Sequence, residues 1–131
     1  MSVQALQGAK HHIPKVIVVV DDDEDIGTLI TELIHEHTTH EVQHYTTGTQ
    51  VLQAMSTSLA HLFILDYTLP DMSGLELHDR LRTLEHLRSV PILLISAMKP
   101  PLRELQKRAI NFLAKPFDVM KLLRTITELL A

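Results

Sequence analysis

The sequence predicts an α/β fold: a doubly wound, five-stranded parallel sheet with helices on both faces. Three observations point there. Short apolar runs such as VIVVV (16–20), LFIL (62–65) and ILLI (92–95) have the composition of strands buried on both faces. The segments between them carry apolar residues at helical spacing. Strand-like and helix-like segments alternate five times within 131 residues, the pattern of parallel strands joined by crossover helices.

Residues 1–14 are polar, contain Gly8 and Pro14, and show no period; they read as a flexible lead-in. Residues 15–20 (KVIVVV) are the first strand. Ile26, Leu29, Ile30, Leu33 and Ile34 recur at i, i+3, i+4, i+7 and i+8, an amphipathic helix. Residues 41–45 (EVQHY) alternate and are polar, which suits an edge strand. Val51, Leu52 and Met55 mark a short helix, and residues 61–65 (HLFIL) a buried strand ending at Asp66. Ser73 and Glu76 form a capping box that opens a helix through Leu77, Leu81 and Leu84. Residues 91–95 (PILLI) are the fourth strand. Leu102, Leu105 and Ala109 mark a short helix behind Pro100 and Pro101, and residues 111–114 (NFLA) the fifth strand. Leu122, Leu123, Ile126, Leu129 and Leu130 mark the last helix.

Composition narrows the function. A chain that is 45% apolar and 21% charged is globular, and its length suits one domain, residues 15–131. The formal net charge of -4, without a basic run, argues against an electrostatic nucleic-acid binder. There is no cysteine, so disulfides, thiolate catalysis and thiolate metal sites are excluded. No apolar run approaches the roughly 20 residues of a membrane-spanning helix, and no secretory h-region opens the chain. A soluble cytoplasmic protein is the expectation.

In a doubly wound sheet, ligands bind outside the carboxyl ends of the strands. Those ends carry Asp21-Asp22-Asp23, Asp66, Ser96 and Lys115-Pro116. Carboxylates packed together repel, and a hard divalent cation relieves the repulsion. Mg²⁺ takes one or two carboxylates and keeps positions for water and phosphate oxygens. A lysine ammonium and a serine hydroxyl suit the remaining oxygens of a phosphoryl group. A carboxylate can itself accept that group as an acyl phosphate. The set therefore suits phosphoryl transfer onto an aspartate.

The stretches VIVVVDDDEDI (16–26), FILDYTLPDMSGLEL (63–77), PILLISA (91–97) and FLAKPFD (112–118) resemble the receiver domain of two-component response regulators, in the right order and over nearly the whole chain. The resemblance implies a flavodoxin-like (βα)5 fold with strand order 2-1-3-4-5. It implies Asp66 as phosphoacceptor, Asp21 and Asp22 as the acidic pair, and Mg²⁺ (or Mn²⁺) as cofactor. Within the pair, Asp22 is the implied direct ligand and Asp21 acts largely through water. Thr68 would lend a backbone carbonyl to the metal. Ser96 would hydrogen-bond the phosphoryl group, Ala97 keeps access open, and Lys115 would pair with a phosphoryl oxygen. Pro116 follows through a bond that is often cis in the family. Phe112 stands at the aromatic switch position.

The implied role is a phosphoacceptor fed by a histidine kinase or phosphotransfer domain, signalling to an unknown downstream protein. Phosphorylation adds roughly -1.5 to -2 charge. Ser96 and Lys115 would be drawn to it, Phe112 would turn inward, and the face of the fourth helix, fifth strand and fifth helix would change shape. Direct nucleic-acid or membrane binding is not implied, and a monomer or weak dimer is expected. No enzymatic turnover is expected beyond Mg²⁺-dependent self-phosphorylation and dephosphorylation.

Several positions depart from the family. Ser96 and Lys115 are nineteen apart, a few fewer than usual, and Arg108-Ala109-Ile110-Asn111 replaces the common Gly-Ala before the fifth strand. With Pro100 and Pro101 ahead of it, the fourth helix should be short or displaced, which alters the output face. Phe112 lacks the hydroxyl of the commoner Tyr. Met98, two past Ser96, cannot polarise a hydrolytic water, so self-dephosphorylation should be slow.

Blander readings accompany these. Asp21–Asp25 could be a solvated helix start favoured by the helix dipole. His35, His37, His40 and His44 lie within ten residues but straddle a helix end and an edge strand, so they read as surface histidines rather than a zinc site. The alternative function is a pseudo-receiver, a binding module independent of phosphorylation. An aspartyl-phosphate phosphatase would need an acid where Thr68 stands. A flavin-binding flavodoxin would need a Ser/Thr-rich phosphate loop where the first acids stand.

Overall fold

A computed structural model describes residues 13–131. Residues 1–12 of the expected lead-in lie outside the described residues; Ile13 and Pro14 are exposed and belong to no element. The strands are β1 (Val16–Val20), β2 (Glu41–Tyr45), β3 (Leu62–Asp66), β4 (Ile92–Ser96) and β5 (Asn111–Ala114). The helices are α1 (Glu24–His37), α2 (Gly48–Met55), α3 (Gly74–Arg82), α4 (Leu102–Arg108) and α5 (Val119–Leu130), with a 3₁₀ turn at Glu85–Leu87. All pairings are parallel and the order is β2-β1-β3-β4-β5, as predicted.

The alternation along each strand builds two cores. Val18, Val20, Phe63, Leu65 and Leu94 face α2, α3 and α4, meeting Val51, Leu81 and Leu105 among others. Ile17, Val19, Ile64, Leu93 and Leu113 face α1 and α5, meeting Ile30, Ile34, Leu122 and Ile126. Because side chains alternate with period two, one continuous apolar run supplies both layers. The parallel strands end at a common edge, so residues distant in sequence meet there.

Helix starts follow side-chain caps. Asp23 Oδ1 accepts from the amides of Asp25 (2.9 Å) and Ile26 (3.3 Å) and opens α1. Thr47, Ser73 and Asp118 cap α2, α3 and α5 in the same way. The Ser73 half of the capping box is made, and the Glu76 carboxylate lies 3.8 Å from Arg80.

Boundaries differ from expectation in four elements, and β1 begins at Val16, one residue later than expected. β3 and β4 each begin and end one residue later, so Asp66 and Ser96 lie inside the ladder rather than after it. α3 stops at Arg82, short of Leu84. The Arg82 guanidinium donates to the carbonyls of Leu87 (2.9 Å) and Val90 (2.7 Å), turning the chain into the 3₁₀ segment. α4 is seven residues long, as its prolines suggested. It ends in a Schellman motif: Ala109 N–H donates to Gln106 (3.1 Å) and Ile110 N–H to Leu105 (3.0 Å). Ala109 holds the left-handed position, φ 53°, where glycine is the usual residue.

Candidate functional site: an acidic pocket at the carboxyl edge

The five acids after β1 divide their tasks. Asp23 is the cap of α1, and Glu24 and Asp25 fall in its first turn, where the dipole favours them. Asp21 and Asp22 belong to the pocket. Carboxylate oxygens of Asp21, Asp22 and Asp66 lie within 4.8 Å of one another.

Asp21 is buried, its side chain 3% exposed. Its Oδ1 accepts from the Asp23 amide (2.9 Å) and its Oδ2 from Lys115 Nζ (2.9 Å). Lys115 Nζ also lies 3.4 Å from Asp66 Oδ2. Asp66 Oδ1 accepts from the Thr68 amide at 3.2 Å. Asp22 is exposed. One ammonium thus serves two carboxylates on adjacent strand ends, and a third carboxylate faces water beside them.

The charge balance shows in the pKa directions. Burial pushes the Asp66 carboxyl up; the Thr68 amide opposes this, the Asp21 charge adds to it, and Lys115 opposes it, leaving a net rise. Burial pulls Lys115 down, but the hydrogen bond and charge of Asp21, with the charge of Asp66, outweigh it and the net shift is upward. The ammonium is held charged, and an oxyanion placed against it would be stabilised. The donors are hard oxygens and one of them is open to solvent, which fits a cation that keeps part of its water.

The other predicted residues sit around this group. Ser96 is buried; its hydroxyl accepts from the Met98 amide (3.0 Å) and its carbonyl accepts from the Lys115 amide (2.9 Å). Thr68 is exposed and pairs with Ser73 in an isolated bridge. Ala97 is exposed. The Lys115–Pro116 peptide is cis. Phe112 is half-buried against the core that faces α2, α3 and α4.

Sequence reasoning missed four supporting residues. Gly74 lets α3 start against the back of the acceptor: a Cβ there would lie 2.5 Å from the Asp66 carbonyl oxygen. Asp71 ties the loop after Asp66 to α2, accepting from the amides of Gly48 (3.0 Å) and Thr49 (2.9 Å) and from the Thr49 hydroxyl (2.6 Å). His44 donates to the Asp21 carbonyl at 2.9 Å, and Gly27 leaves room for its ring. The surface reading of the histidines is therefore corrected at His40 and His44. Both are half-buried, and His40 Nδ1 accepts from the Lys15 amide at 3.0 Å. Nothing local in the sequence marks these contacts, which join elements distant along the chain.

A doubly wound parallel sheet with three carboxylates and a lysine at its carboxyl edge defines a class: a flavodoxin-like α/β module with an acidic pocket at the strand ends. The chain belongs to the response regulator receiver domain family, whose sequence model matches residues 17–127. It is 37% identical over 120 residues to the cyclic di-GMP phosphodiesterase response regulator RpfG of Xanthomonas campestris pv. campestris, covering 87% of this chain and 31% of that protein. The chain spans half or less of the length of several such bacterial relatives. In fold it is similar to the chemotaxis response regulator CheY4 of Vibrio cholerae (TM-score 0.81, 23% identity, 88% of this chain and 98% of that one). It is also similar to the receiver domain of the sensor histidine kinase PA1611 of Pseudomonas aeruginosa, solved with a magnesium ion in its active site cleft (TM-score 0.79, 22% identity, 89% and 98% covered). No helix among the described residues is long and apolar enough to cross a membrane.

Proposed function

We infer that residues 15–131 act as a phosphoacceptor receiver, a cytoplasmic signalling module that takes a phosphoryl group on Asp66. The observation that carries this reading is the Lys115 ammonium bridging Asp21 (2.9 Å) and Asp66 (3.4 Å) beside the open carboxylate of Asp22. Asp22 and Asp66 would hold Mg²⁺, joined by the Thr68 carbonyl, with Asp21 acting through water. Bound there, the ion supplies charge neutralisation between the acceptor carboxylate and the incoming phosphoryl oxygens.

The donor is a phosphohistidine of a histidine kinase or phosphotransfer domain. An Asp66 carboxylate oxygen attacks phosphorus, the phosphorus–nitrogen bond breaks, and the donor's imidazole leaves with the electron pair. The product is an acyl phosphate. Lys115 stabilises the transferring oxygens, and in the product it pairs with the phosphoryl group in place of the bare carboxylate. Ser96 gives up its bond from the Met98 amide and donates its hydroxyl to the phosphoryl group. That movement frees space for Phe112 to turn inward, and the face of α4, β5 and α5 changes for a downstream protein.

Incubation with Mg²⁺ and acetyl phosphate, beside Asp66→Asn, tests this by intact mass. One added phosphoryl group on the parent alone is expected. Labelling of neither protein would favour a pseudo-receiver that binds its partner without phosphorylation.

A further inference from the structure

We propose that His44 is a positioning residue for the cation pocket: it sets the peptide plane between Asp21 and Asp22, and through that plane the carboxylate of Asp22. The Asp21 carbonyl can only accept, so His44 Nε2 is the donor in their 2.9 Å contact. One residue along the same strand, the Tyr45 carbonyl accepts from the Asp21 amide at 3.1 Å. Edge strand β2 therefore anchors the peptide groups on both sides of the Asp21 Cα. The Asp21 carbonyl shares a rigid planar unit with the Asp22 amide. Fixing it fixes the direction in which the chain, and with it the Asp22 side chain, leaves β1.

The two acids differ in how they are held. The Asp21 carboxylate is locked by the Asp23 amide and Lys115. Asp22 is exposed, so its placement depends on the backbone that carries it. The His44 ring reaches the Asp21 carbonyl across a notch that exists because residue 27 of α1 is glycine. A Cβ there would lie 2.1 Å from the ring's Cε1 and 2.3 Å from Nε2. His44 and Gly27 form a matched pair, and the product of the match is an oriented cation ligand, as a group behind a metal ligand commonly provides.

This inference rests on the Mg²⁺ reading of the pocket. The experiment is calorimetric titration of Mg²⁺ into the unphosphorylated parent, His44→Leu and His44→Gln, with thermal unfolding of each in the absence of metal. Leu keeps bulk and loses the donor; the Gln amide nitrogen reaches where Nε2 does. The expected result is Mg²⁺ affinity weakened about 3- to 10-fold in His44→Leu and restored to within about 2-fold of the parent in His44→Gln. Should Leu not be accommodated, His44→Ala combined with Gly27→Ala fills the vacated notch and removes the donor in a packed fold; the same weakening is expected. Parent-like Mg²⁺ affinity in the donorless variant, whatever its melting temperature, overturns the inference, as does a Gln variant no better than the donorless one. A parent that binds no Mg²⁺ overturns the metal reading of the pocket and this inference with it.

Discussion

The Lys115 ammonium lies 2.9 Å from the Asp21 carboxylate, a contact between residues 94 positions apart. Asp21 is the most deeply buried of the pocket's acids, and without this partner its charge would be left in the interior. Lys115→Met should therefore lower stability by about 2 kcal/mol in urea unfolding, because removing one member of a buried pair strands the other. A variant as stable as the parent would show that water already screens the pair.

Asp66→Asn should move the other way. The folded protein raises the Asp66 pKa, so folding disfavours its charged form. In metal-free buffer the variant should therefore be more stable than the parent at neutral pH. The gain should shrink as pH falls through the raised pKa, where the parent carboxyl takes up a proton and becomes neutral too. Equal stability across that range would count against the charge balance described for the pocket.

The bidentate pair between Asp79 and Arg108 (2.8 and 3.0 Å) ties α3 to the short α4. The hydrogen bonds from Arg108 hold the Asp79 carboxyl down at about 2. A depressed acid contributes stability above its unfolded pKa and loses it as pH falls through the folded one. Arg108→Met should cost about 0.5–1 kcal/mol near pH 6, a modest figure because Asp79 is half exposed. The gap from the parent should close as pH falls from about 4 to about 2. Urea unfolding at several pH values checks this; a gap independent of pH would assign the effect to packing.

Ala109 occupies a left-handed position, φ 53° and ψ 42°, at the end of α4. Ala109→Gly should stabilise the protein by about 0.5–1 kcal/mol, the relief of the Cβ clash less the entropy glycine loses on folding. A lower unfolding midpoint would mean that α4 does not keep this ending in solution.

Gly27 and His44 should show strong coupling. In the parent, Gly27→Ala pushes the imidazole out of its notch and should cost about 2 kcal/mol. In a His44→Ala background the same change should be neutral or stabilising by up to about 1 kcal/mol, since alanine is the better helix former. A double-mutant cycle in urea measures the difference. Additive effects would show that the ring does not fill the notch.

Acyl-phosphate lifetime tests the chemistry after transfer. Met98 is 67% exposed and apolar, and the exposed residue two past the acceptor is Thr68. Neither carries a carboxylate or amide to orient a hydrolytic water. After removal of acetyl phosphate, the labelled mass should decay over many minutes or longer; a half-life of seconds would overturn this.

The class of fold and the meeting of four residues at one sheet edge were both readable from the sequence. Apolar runs with period two and stripes with period 3.6 are local properties, and in a parallel sheet every strand delivers its last residue to the same edge. That is why Asp21, Asp22, Asp66 and Lys115 were legible as one group before any distance was known. The extent of β3 by one residue, the end of α3 at Arg82 and the anchoring of His44 were not legible in this way. The first rests on backbone pairing of Asp66 with Ile95, and the other two on where a side chain reaches after packing: Arg82 onto the carbonyls of Leu87 and Val90, His44 onto the Asp21 carbonyl just beyond the neighbouring strand. That Asp23 caps a helix while Asp22 lies beside Asp21 and Asp66 came from packing, since three consecutive aspartates are chemically alike and differ solely in the neighbours that the fold brings to them.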